Sequence, residues 1–127
     1  MDATTNAVNW FEIPAADISR AKVFYEAAFG FTMEEQEMMG MKMAFFPWEN
    51  GSGKASGALV QSQMHQPSAD GAILYLNANP DLAPVLANIE RAGGKVLMPK
   101  TQISEDIGYM AFFMDSEGNR VALHSQG

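Results

Sequence analysis

The stretch Asp17-Ile18-Ser19-Arg20-Ala21-Lys22-Val23-Phe24-Tyr25-Glu26-Ala27-Ala28-Phe29-Gly30 decides the fold. Asp17 can accept hydrogen bonds from the free amides of a first helical turn. Ile18, Ala21, Tyr25 and Ala28 return at helical spacing, and Phe24 and Phe29 widen that apolar stripe. Gly30 can adopt the left-handed conformation that closes a helix. The spacing predicts a helix over Asp17–Phe29. The same grammar returns 64 positions on, with Asp81 for Asp17, Leu82 for Ile18, Ile89 for Tyr25 and Gly94 for Gly30. Leu82, Val85, Leu86 and Ile89 form the second apolar face, and Pro84 lies in the first turn, where a missing N–H costs little. A second helix is expected over Asp81–Ala92, ended by Gly93-Gly94. Both caps and both stops keep one register, so the chain reads as an internal repeat of about half its length.

Around each helix the pattern is that of strands. Ala7–Ile13 precedes the first helix, and Phe31–Met38, Met41–Trp48 and Gly57–Ser62 follow it. Gly71–Asn77 precedes the second, and Lys95–Ile103, Tyr109–Met114 and Arg120–His124 follow that one. The expected class is α+β: two βαβββ modules in tandem, each a cupped mixed sheet with one helix on its convex face. Module one covers about 7–62, the polar, Pro67-containing link about 63–70, and module two about 71–126, together one domain. Alternation sorts the faces. Phe11 and Ile13 point under the helix, while Val8, Trp10 and Glu12 point away; Val121 and Leu123 oppose Arg120, Ala122 and His124. The second set mixes polar and aromatic groups, as a pocket wall does.

Composition excludes several classes. The chain has 127 residues, 47% of them apolar and 18% charged, which are globular values. Without cysteine there is no disulfide scaffold, thiolate zinc site, iron–sulfur cluster or cysteine nucleophile. Net charge is −7 and the eight Lys and Arg never form a stripe, so no nucleic-acid partner is expected. Apolar runs are only a few residues long, so no membrane partner is expected either. The segment Met1–Asn6 has no basic or apolar region, which leads to the expectation of no signal peptide and a cytoplasmic location. Gly51-Ser52-Gly53-Lys54 lacks the spacing and following helix of a phosphate loop and reads as a hairpin loop. The eight serines lack a nucleophile-elbow context.

Phe11-Glu12-Ile13-Pro14, the helix quoted above running into Gly30-Phe31, Ala92-Gly93-Gly94-Lys95-Val96, and the closing Asp115-Ser116-Glu117-Gly118-Asn119-Arg120-Val121-Ala122-Leu123 together resemble the vicinal oxygen chelate superfamily. That group includes glyoxalase I, extradiol dioxygenases and bleomycin-resistance proteins. The resemblance covers nearly the whole chain. It implies a divalent metal held by His, Glu or Gln from the first and last strand of each module. Carried over, those positions fall at Trp10, near Ala58 or Val60, at Ala72 and at Ala122. None carries a donor, so the resemblance is to a glyoxalase-like member with degenerate metal-ligand positions.

The expectation is therefore a metal-independent small-molecule binding protein without a cofactor, taking a planar or cationic ligand in an aromatic-lined cavity. Its expected ligand-binding residues are Trp10, Glu12, Trp48, Ala72, Leu74, Ala122 and His124, with Phe46 adding to the aromatics. One alternative is a glyoxalase-like lyase, isomerase or dioxygenase with one displaced divalent ion on Glu12 and His124, with Gln61 a further donor. The other is a non-catalytic structural or interaction domain whose cavity Trp10 plugs. Glu12 is the candidate general base if there is chemistry, since an apolar pocket can raise a carboxylate pKa. His65 reads as an exposed link residue, and Arg120 and Lys42 as anion partners or solvated cations. Ten methionines, five of them between Met33 and Met43, read as gap-fillers or as an adaptable ligand wall. Open sheet edges and the apolar Met33–Met43 stretch lead to the expectation of a homodimer with an interface above roughly 2,000 Å².

Overall fold

A computed structural model describes all residues, 1–127. In chain order the elements are β1 (Trp10–Pro14), α1 (Ile18–Phe29), β2 (Glu34–Met38), β3 (Met41–Phe45), β4 (Ser56–Gln61), β5 (Tyr75–Asn77), α2 (Ala83–Asn88), β6 (Lys95–Ser104), β7 (Gly108–Met114) and β8 (Arg120–Ser125). Two four-stranded sheets result, with orders β1-β4-β3-β2 and β5-β8-β7-β6. In each, the first strand runs parallel to the fourth and the other pairs are antiparallel. The fold is the tandem βαβββ arrangement expected of the repeat.

Helix α1 follows its sequence closely. Asp17 Oδ1 accepts from the Arg20 amide at 3.1 Å. Gly30 closes the helix at φ 82°, its amide donating to the Glu26 carbonyl at 2.9 Å. Ile18, Ala21, Phe24, Tyr25 and Ala28 are buried. Helix α2 is shorter than its pattern, ending at Asn88 where Ala92 was expected, because residues 89–93 turn. The Gly94 amide donates back to the Ile89 carbonyl, so the two glycines still terminate the segment. Asp81 holds the start by accepting from the Ala83 amide at 2.9 Å. The strands before the helices are also shorter than expected. Residues 7–9 and 71–74 lie outside β1 and β5.

Helix α1, Leu82 and Ile89 at the two ends of α2, and the helix-side faces of both sheets share one core of 19 buried residues, against which Val85 and Leu86 of α2 pack. Ile13, Ala44 and Leu59 enter it from the first sheet, and Leu76, Ala111, Phe113, Val121 and Leu123 from the second. Tyr25 joins the modules: its ring meets Phe113 at 6.4 Å and its hydroxyl donates to Asp115 at 2.9 Å. The turn Asp115–Asn119 then reaches back to module one. Glu117 accepts from the Ala16 and Asp17 amides and from the Arg20 guanidinium, all within 3.0 Å. Asn119 Nδ2 donates to the Pro14 carbonyl at 2.7 Å. The closing motif of module two thus caps and orients the helix of module one.

Candidate functional site

Register builds the faces turned away from the helices. In module one, β1 places Glu12 opposite Ala58, and β3 places Phe45 opposite the same Ala58. In module two, β5 places Tyr75 and β7 places Phe112 opposite Ala122. Ala58 and Ala122 are both fully buried and stand 64 positions apart, so they are equivalent floor positions of the two cups. This pairing fixes the last-strand position of module one at Ala58 rather than Val60. Ala72 precedes β5, and the β5 residue facing Ala122 is Tyr75. Alternation from Leu76, a core residue, points to Tyr75 even in the sequence.

Each floor alanine is overlooked by an aromatic pair. Trp10 and Phe45 lie 6.0 Å apart at 56°, and Tyr75 and Phe112 lie 5.9 Å apart at 83°. Such tilted pairs suit the ring quadrupoles and leave faces free. Trp10 and Trp48 share a cavity of about 550 Å³ whose wall also holds Phe45, Phe46, Met38 and Glu34. Trp10 is 41% exposed and Trp48 59%, so these rings border open space rather than fill it. The methionines divide: Met33 is core, Met43 packs with Ala58 and Val60, Met38 lines the aromatic cavity, and Met39 sits exposed in the β2–β3 turn.

The residues expected to share one cavity separate. Glu12, Ala72 and Leu74 line a second cavity of about 460 Å³ along the seam between the modules, together with Arg120. Ala122 and His124 line neither. His124 Nε2 lies 2.7 Å from the Ile107 carbonyl. Glu12 is fully engaged, with Oε2 accepting from Trp10 Nε1 at 3.3 Å and Oε1 lying 2.8 Å from His65 Nε2. His65 therefore departs from expectation: its side chain is 15% exposed, because the link folds back over the sheet to reach Glu12. No spacing rule in the sequence announces that contact across 53 positions.

The metal that the resemblance implies fits poorly here. Trp10, Ala58, Ala72 and Ala122 offer no donor, and Tyr75 is committed to packing on Phe112. Glu12 and His124 belong to different sheets, each with its own hydrogen-bond partner. No three His, Asp or Glu side chains converge on a common point that could take an ion.

Residues 8–46 match the family model described as bleomycin resistance protein-like N-terminal. A glyoxylase-like domain-containing protein of Didymella fabae is 29% identical over 119 residues, covering 91% of each chain. Among solved structures, a glyoxalase/bleomycin resistance protein from Albidiferax ferrireducens T118 superposes with a TM-score of 0.72 at 16% identity, over 96% of this chain and 100% of that one. TnmS3, an antibiotic binding protein from Streptomyces sp. CB03234, superposes with a TM-score of 0.64 at 22% identity, over 99% of this chain and 100% of that one. The repeat, the two parallel-closed sheets and these likenesses agree on the fold: the chain has the tandem βαβββ fold of the glyoxalase and bleomycin-resistance proteins it is similar to.

Proposed function

We propose that the protein binds a planar, cationic small molecule without a metal, against the wall formed by Trp10, Phe45 and Trp48. The aromatic cavity is the observation that carries this reading. Its volume of about 550 Å³ suits a drug-sized ligand, and Trp10 occupies a position at which the superfamily usually places a metal donor. Exposed indole faces attract cations and flat rings, and Glu34 in the same wall adds a complementary charge. The overall charge of −7 favours approach of a cation. The likeness to an antibiotic-binding protein supports the small-molecule class. The plugged-cavity alternative is disfavoured by the exposure of both indoles.

The test is a titration with berberine, a planar aromatic cation, followed by tryptophan emission and by thermal shift. Saturable quenching is expected, with the affinity of Trp10→Ala reduced at least tenfold, the usual effect of removing an aromatic anchor. Absence of both a fluorescence change and a thermal shift in the wild type would rule the reading out for this ligand class.

A further inference from the structure

We infer that Ser62, His65 and Glu12 form a nucleophilic triad that can open small carboxylic esters, in a cavity other than the aromatic one. Ser62 directly follows β4, and the turn from Ser62 to His65 is closed by the His65 amide donating to the Ser62 carbonyl at 3.3 Å. That turn sets Ser62 Oγ 2.6 Å from His65 Nδ1. The other ring nitrogen, Nε2, is 2.8 Å from Glu12 Oε1. A carboxylate only accepts, so Nε2 carries the hydrogen. In the neutral imidazole Nδ1 is then the bare nitrogen, and the Ser62 hydroxyl donates to it. This is the relation of nucleophile, base and orienting acid that activates a serine. Trp10 Nε1 on the second oxygen of Glu12 holds that acid in place.

The group is not sealed in the core. Ser62 and His65 line a cavity of about 420 Å³ together with Gln61 and Lys42. Lys42, the register partner of Gln61, also lines that cavity and makes no ion pair.

The step balances without any co-reactant other than water. Ser62 Oγ bonds to the ester carbonyl carbon while its proton passes to His65 Nδ1. The C–O bond to the alcohol breaks, and the leaving alkoxide takes that proton. Water then attacks the acyl-serine with His65 again accepting a proton, and the acid leaves as Ser62 is restored.

The full-length protein is incubated with a fluorophosphonate probe, in which the Ser62 O–P bond would form and fluoride would leave, and the labelled site is located by peptide mass spectrometry. We expect the adduct on Ser62, formed at least tenfold more slowly in His65→Gln and in Glu12→Gln. Site location on the wild type needs no variant to fold, and melting curves show whether each variant does. The idea fails if no adduct forms, if label spreads over other serines, or if a folded His65→Gln reacts as fast as the wild type. Berberine binding by Ser62→Ala is expected unchanged, so the fate of the triad and that of the aromatic site are read separately.

Discussion

Glu117 is the residue on which the junction of the modules turns. Its side chain is 1% exposed, and its oxygens serve two amides and Arg20. Burial pushes its carboxyl up, but the Arg20 hydrogen bonds, the Asp17 amide, the Ser116 hydroxyl and the Arg20 charge outweigh that, and it titrates below the ordinary 4.5. A carboxyl with a lowered folded pKa contributes stability that is complete above the unfolded pKa and is lost as pH falls through the folded one. Asp115 runs the other way: burial leads and raises it above 3.8, against hydrogen bonds from Asn119, Tyr25 and the Glu117 amide. Its ionisation therefore removes some stability as pH rises through that raised value. Glu117→Gln is expected to lose about 1.5–3 kcal/mol at neutral pH, the range for hydrogen bonds to charged groups. The gap to wild type should shrink as pH falls below about 4.5. Urea unfolding at pH 7, 5 and 3.5 measures it, and a gap constant across the three would contradict the assignment.

At the scale of elements, the β1–β4 pair depends on having no side chain at Gly57. A Cβ there would stand 2.3 Å from the Phe11 carbonyl oxygen and 2.6 Å from its ring. Phe11 is the register partner of Gly57, and its ring covers the glycine. Backbone and aromatic ring cannot both retreat without parting the strands. Gly57→Ala is expected to cost about 3 kcal/mol, the upper range for overpacking in a tight site. Because β1 carries Trp10 and Glu12, the same change should weaken berberine quenching. A denaturation midpoint equal to wild type would show that the ladder is looser than its geometry. The closing motif acts at this scale as well, since one turn after β7 caps a helix in the other module.

For the whole molecule the question is what covers the two outer faces. The helices and the core occupy one side of each sheet, leaving Trp10, Tyr75, Met38, Ile73, Leu97 and Ile107 each 38% exposed or more. β2, an edge strand of the first sheet, is exposed throughout its length. We propose that a second copy covers this surface, bringing the aromatic pair of one module against that of the other across a two-fold axis. Light scattering at micromolar protein should return twice 13.8 kDa. A monomer that persists at high concentration would refute the dimer and leave each cup open to water.

The sequence determined the repeat and the helix-side core, because caps, stops and alternation are local and each is carried by neighbouring residues. Asp17, Gly30, Ile13, Val121 and Leu123 all sit where those rules put them. The length of α2 was less legible, since its last turn is decided by how residues 89–93 pack and not by apolar spacing alone. Where tertiary structure alone decided was in contacts between distant segments. Alternation placed Trp10 and Glu12 on one face, yet folding leaned Trp10 toward Phe45 and drew Glu12 to His65, 53 positions away. The same distance along the chain hid the Glu117 cap on α1, which joins residues 100 apart. Periodicity reports which side of an element is buried; only the packed chain chooses the partner that meets it there.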